Sequence, residues 1–263
     1  MKLLAFDTST EFMSIAVTRD VDGRPEVWQH TGAGAAQASL ALIPTVLALL
    51  QQAGLTLREL DAIAFGCGPG SFTGLRTACS VAQGLAFGAD LKVLPINTLW
   101  AVAEDARYRC LADTSECQIT ALLDARMDEI YVATYAYGTG VWSMVGDCAV
   151  MKPEAFSLPG SNSRRVLAGN ALKVYGERLT GVTAEVSRFE ALPTAEALLR
   201  LAPALLAAGA AVAPDDALPL YIRDQVAQTT AQRAAIKAAK ESATSAPAPS
   251  DAEHPVTTSF SKP

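Results

Sequence analysis

DAIAFGCGPGSFTGLR (residues 61–76) runs an apolar strand, 61–66, into a glycine turn and then a helix of small apolar residues, 73–87. Strand, glycine loop and helix in that order can cradle phosphate, because the amides at a helix start point at an anion. The stretch lacks the Lys and Ser/Thr that end a P-loop, and its glycines lack the spacing of a dinucleotide fingerprint. Gly68 and Gly70 flank Pro69 and permit positive φ, and Ser71 or Thr73 supplies a helix cap. Two readings stand, an anion cradle and a tight capped turn. The missing Lys and the lack of an obvious metal-holding acid favour the turn.

Upstream, residues 2–7 form a short apolar strand and 12–18 alternate as a half-buried one. TRDVDGRP is the turn to a third strand at 26–31, and a helix over 39–53 is closed by Gly54. Downstream, 91–96 is a fifth strand and 98–108 a helix, so the order is βββαβαβα. That order is the one of the ribonuclease H-like fold, shared by the actin, sugar kinase and Hsp70 families. A second unit begins near residue 110, with a hairpin of 118–124 and 129–137 across DARMDE, a strand at 166–169, a helix over 194–208 and an extended segment at 219–223. The fold class is α/β, with mixed sheets and packed helices in two units. The predicted boundaries are 1–102, 103–224 and a disordered tail, 225–263, rich in Ala, Thr, Ser, Pro and Lys. No internal repeat is visible.

Half of the 263 residues are hydrophobic and 18% are charged, which suits a globular body. A net charge of −6 argues against a broad basic surface that grips nucleic acid unaided. The five cysteines are odd in number and form no CxxC, which fits reduced thiols better than a disulfide framework or a zinc site. MKLLAFD is too short an apolar run for a signal peptide. The runs 38–50 and 201–213 fall short of the roughly 20 residues that cross a bilayer. A cytoplasmic protein with no membrane partner is expected.

Charge is missing where helices should meet water. There is none from Gly32 to Leu57, and from Ala62 to Ala89 only Arg76. Leu42, Val46, Leu49, Leu50 and Ala53 suit the sheet side of the first helix, while Leu40, Ile43 and Leu47 lie elsewhere around it. A helix apolar all round must be covered. Two covers stand, another part of this chain and another protein; a two-layer domain leaves outer helix faces to solvent, which favours the protein, on an interface of Leu40, Ile43, Leu47, Leu50, Phe72, Leu75, Arg76, Cys79, Ala82, Gln83 and Ala86. Charges placed at Leu47 and Ala82 are expected to abolish association and leave the monomer folded.

Candidate chemistry is sparse. Asp7 ends the first strand in FDTST, either as a phosphate- or metal-positioning acid or as part of a polar turn with Thr8 and Ser9. The two histidines, His30 and His254, form no pair, so metal catalysis through His ligands is not expected. Asp124, Arg126 and Glu129 make a charged hairpin turn. No catalytic residue and no metal ligand is assigned.

FDTST, ASLALIP, DAIAFGCGPGSFTGLRTA, INTLWAVA, DARMDEIYVATY, AGNAL and PLYIRDQVA follow one another as in the TsaB (YeaZ) family, from Met1 to about Ala227. The resemblance implies two ribonuclease H-like subdomains of the actin-like ATPase superfamily, and a non-catalytic role in making threonylcarbamoyladenosine (t6A) at position 37 of tRNA. It implies a direct partner, TsaD, held through the first two helices, the ATPase TsaE beside them and TsaC acting indirectly. It also implies tRNA only through the complex, and homodimers through the same helices. TsaD carries a metal-binding H-x-x-x-H; the matching positions here are Thr98 and Val102. No cofactor is expected on this chain alone, with ATP or ADP in the assembled complex, and Asp7, Thr8, Gly68, Gly70 and Ser71 form a vestigial nucleotide-binding set. Ala38 stands where the family often has a His. The competing readings are a peptidase or nucleotide hydrolase of the glycoprotease type, and a homodimeric binding protein.

Overall fold

Leu3–Asp7 (β1) is buried along its whole length, as a strand covered on both faces must be. It pairs antiparallel with Phe12–Val21 (β2), which pairs antiparallel with Arg24–Ala33 (β3). Ala38–Gln52 (α1) then leads to Ala62–Gly68 (β4), Phe72–Ala89 (α2) and Val93–Asn97 (β5). The sheet order is β3-β2-β1-β4-β5, with β4 parallel to both β1 and β5. Thr98–Cys110 (α3) follows, then Glu116–Arg126 (β6), Glu129–Gly138 (β7), Val141–Met151 (β8), Arg164–Ala168 (β9), Ala171–Tyr175 (α4), Ser187–Phe189 (β10) and Ala195–Ala207 (α5). This is a computed structural model, and it describes residues 1–34, 37–160, 163–182 and 186–223. The tail assigned to 225–263 lies outside the described residues.

The second sheet runs β10-β9-β6-β7-β8, with β6, β7 and β8 antiparallel and β9 parallel to β6 and β10. Read from β8, this repeats the first sheet strand for strand: a three-strand meander, then two parallel strands with a helix between them. The sequence shows no repeat because topology is preserved by burial pattern alone, and the side chains of the two halves differ. Among the described residues the second half shows no counterpart of α1; a 3₁₀ turn, Pro153–Ala155, lies in that link.

Layering follows from alternation along the strands. Leu4 and Phe6 of β1 and Ile63 and Phe65 of β4 face α1 and α2, while Leu3, Ala5, Ala62 and Ala64 face α5. α3 packs on the second sheet through Leu99, Val102 and Ala106. The far side of that sheet is closed by α4 through Ala171 and Tyr175. α3 and α5 therefore lie between the sheets. The 103–224 segment contributes a helix, α5, to the first sheet, and Met1–Ile222 is one compact unit.

Two turns differ from expectation. TRDVDGRP shrinks to a two-residue tip, Asp22–Gly23, with φ of 52° and 77°. Asp-Gly suits that tight hairpin geometry and lets β2 and β3 extend to ten residues each. Ser71 precedes α2 but makes no side-chain cap; its carbonyl accepts from the Leu75 amide at 2.9 Å. The predicted strands missed β8 and β10, and the predicted helices missed α4.

Candidate functional site

The glycine loop is filled by its own chain. The Ser71 amide donates to the Ser9 carbonyl at 2.7 Å, and Thr8 Oγ1 donates to the Gly74 carbonyl at 2.7 Å. A Cβ at Gly70 would lie 2.6 Å from the Ser9 Cβ, and one at Gly74 would fall on the Thr8 carbonyl oxygen. Gly68, at φ +127°, lies under a different segment, where a Cβ would stand 2.5 Å from the Leu220 carbonyl oxygen. The glycines thus admit backbone from the β1 turn and from the C-terminal side. The close-approach space at these glycines is taken by Thr8, Ser9 and Leu220.

Asp7 is buried beside this contact. Its Oδ1 accepts from the Ser9 amide at 2.8 Å and the Ser9 hydroxyl at 2.7 Å, while Oδ2 has no hydrogen-bond partner among the described residues. Burial pushes its carboxyl up to about 7, against the lowering effect of the two Ser9 bonds. A Cβ at Gly66 would collide with Oδ2. Burial likewise drives the neighbouring Cys67 thiol up to about 12, which leaves it protonated.

The helices over this sheet divide cleanly. On α1, Leu42, Val46, Leu49 and Leu50 are buried, while Leu40 is 81% and Leu47 50% exposed, with Ile43 between them. On α2, Leu75, Ala78, Cys79, Ala82 and Ala86 are buried against the sheet, and Phe72, Arg76, Ser80, Gly84 and Phe87 form the outer stripe. Five residues expected at an interface are therefore core: Leu50, Leu75, Cys79, Ala82 and Ala86. Helical spacing placed them on the sheet side. Leu40, Ile43, Leu47, Phe72 and Arg76 are solvent-facing, and Gln83 is half-buried, its amide donating to the Ala217 carbonyl at 3.0 Å.

That last bond belongs to a strap the sequence marked only as an extended segment. Ala217 is fully buried, and its carbonyl also accepts from Cys79 Sγ at 3.3 Å. The Leu220 amide donates to the Cys67 carbonyl of β4 at 2.7 Å. The Tyr221 ring lies 5.4 Å from that of Phe72, and its hydroxyl accepts from Arg76 Nε at 3.2 Å. Arg76 also covers Phe72, with Cζ 3.8 Å from the ring centroid.

The remaining candidates lie apart. His30 is exposed on the edge strand β3, and His254 lies outside the described residues. Asp124 holds the DARMDE turn: its Oδ1 accepts from the Arg126 amide and from Tyr175 Oη, and its Oδ2 pairs with Arg126 at 2.9 Å. Arg126, Met127 and Asp128 all take φ near +60°, a bend locked by these bonds. Among the described residues no three His, Cys, Asp or Glu side chains gather to hold a metal ion. No helix among them is long and apolar enough to cross a membrane.

A family model described as "TsaD: tRNA N6-adenosine threonylcarbamoyltransferase" matches residues 34–231. The tRNA threonylcarbamoyladenosine biosynthesis protein TsaB of Escherichia coli (strain K12) is 32% identical over 86% of this chain and 96% of its own length. That of Haemophilus influenzae is 32% identical over 86% and 95%. The chain belongs to the TsaB family. Two solved Pseudomonas aeruginosa structures agree at 37% identity, each covering 84% of this chain and 99% of its own. One is YeaZ, with a TM-score of 0.73, and the other an uncharacterized protein with similarity to peptidase YeaZ, with a TM-score of 0.74. The fold is accordingly of the ribonuclease H-like, actin-like class. In this TsaB-family chain Thr98 donates to the Pro69 carbonyl at 2.7 Å, and Val102 is buried in the second core. Both side chains are thus committed to packing. Ala38 is buried at the start of α1.

Proposed function

We propose that this chain is a non-catalytic subunit of the machinery that forms threonylcarbamoyladenosine on tRNA, and that it binds and orders a TsaD-type transferase through the outer faces of α1 and α2. The observation that carries the reading is the apolar outer face of those helices, where Leu40, Ile43, Leu47, Phe72 and Phe87 are exposed and Arg76 is the single charge. Exposed apolar area of that extent on two adjacent helices is what a helix-pair interface buries. TsaB relatives named for t6A biosynthesis support the pathway. The commitment of Thr98 and Val102 to packing supports the non-catalytic part. In this reading TsaE and TsaC act beside the pair, tRNA is met only through the complex in the cytoplasm, and ATP or ADP enters with the assembly rather than with this chain.

The test is depletion of the protein followed by mass spectrometry of tRNA nucleosides. Loss of threonylcarbamoyladenosine, restored by the wild-type chain and not by Leu47→Asp, is expected. An unchanged level on depletion overturns the role.

A further inference from the structure

Arg76 is the single charge on the α1–α2 face, and the structure holds it still. Its Nε is bonded to the Tyr221 hydroxyl at 3.2 Å and its Cζ rests 3.8 Å over Phe72. The strap that brings Tyr221 is itself fixed, by the Leu220 amide on Cys67 and by the Ala217 carbonyl on Cys79 and Gln83. The stack leaves the two terminal guanidinium nitrogens without a hydrogen bond or ion pair among the described residues. A fixed guanidinium with an open fork, inside an apolar patch of Phe72, Leu218, Leu220 and Tyr221, is costly to cover unless the cover brings an anion.

We propose that Arg76 is the specificity-determining residue of this face, and that it receives a carboxylate from a side chain of the docking protein. The inference rests on the docking reading above. A carboxylate on a protein is the favoured anion for two reasons. The patch around the guanidinium is aromatic and aliphatic, and α1 and α2 offer no second cation to follow a phosphate backbone. Tyr221 and Phe72 act as positioning residues: they orient the fork and cut the entropy lost on pairing. Arg and aromatic side chains packed together at the centre of a face are the composition of an interface hot spot.

The test measures affinity of the full chain for the TsaD-type transferase of the same source, for wild type, Arg76→Glu, Arg76→Lys, Tyr221→Phe and Leu47→Asp. Self-association is read by sedimentation, and binding of tRNA by the isolated chain by mobility shift. Arg76→Glu is expected to weaken the partner about a hundredfold, Arg76→Lys about tenfold, because Lys lacks the fork, and Tyr221→Phe a few-fold. Loss with Leu47→Asp but not with Arg76→Glu overturns the carboxylate and leaves the docking reading intact. No loss with either overturns the docking reading and this inference together. Two further results also overturn the inference: self-association lost in Arg76→Glu with partner affinity unchanged makes a second copy the occupant, and tRNA binding lost in Arg76→Glu makes phosphate the anion. Arg76 is exposed, so its variants keep the melting temperature of wild type, which is checked in parallel.

Discussion

Asp7 is the residue whose environment most contradicts its chemistry. The folded state holds its proton up to about pH 7, whereas the unfolded chain releases it near 3.8. The sign follows: the native state binds the extra proton, so stability falls as pH rises from about 4 to about 7, by at most ~4 kcal/mol. Asp7→Asn keeps an oxygen for the two Ser9 donors and removes the buried charge. Urea unfolding at pH 8 is expected to show the variant as more stable than wild type, with the gap closing by pH 4. An equal gap at both pH values counts against the burial account. Gly74 makes the opposite prediction: Gly74→Ala drives a methyl into the Thr8 carbonyl and should cost about 3 kcal/mol or more by thermal melting. The sequence showed a glycine-rich turn but not what the glycines approach, because the partners, Thr8, Ser9 and Leu220, lie far away in the chain.

At the scale of elements, α1 and α2 were readable from the alternation of large apolar and small residues, and their ends from local signals. Gly54 at φ +64° closes α1, with its own amide on the Gln51 carbonyl and the Leu55 amide on that of Leu50. Which residues faced outward was half readable. Leu40, Ile43 and Leu47 were separable from Leu42 and Val46 by helical spacing, but on α2 nearly every side chain is small and the pattern is flat. Only the sheet contact tells Ala82 from Ser80. A charge at Ala82 therefore does not probe an interface: Ala82→Asp buries an unpaired carboxylate and should unfold the protein, whereas Leu47→Asp should keep the native melting temperature. Circular dichroism on both variants checks the pair, and a folded Ala82→Asp contradicts the packing. Strands β8 and β10 leave little mark in the sequence for a simpler reason. β8 is an exposed edge with no clear alternation, and β10 has three residues.

At the scale of the whole molecule, the two halves share one topology and are tied by α3 and α5. Glu104 of α3 is the knot: Arg107 binds both its oxygens at 2.8 Å, Arg200 of α5 donates to Oε1 at 2.8 Å and Trp142 of β8 donates to Oε2 at 3.1 Å. Removing a buried carboxylate strands two guanidinium groups, so Glu104→Ala should cost about 3 kcal/mol in chemical unfolding. Calorimetry of the wild-type chain should show one cooperative transition, since each sheet is covered by a helix contributed from the other half's neighbourhood. Two resolved transitions would contradict that coupling. This plan was legible in its first half, whose strand–helix order is a known one, and hidden in its second, where the described residues show no counterpart of α1 and the links carry little helix.

The strap gives the molecule an order in time. Arg76 and Tyr221 are 145 residues apart, and Gln83 and Ala217 are 134 apart. A ribosome adding about 5–20 residues per second completes α2 many seconds before Tyr221 exists. During that interval Phe72 and Arg76 are present but unsupported, and Gly68 is bare. The newborn chain therefore cannot offer a finished stack until almost all of it has been synthesised, so a chain cut short before Tyr221 carries both helices yet lacks the part that holds Arg76 in place.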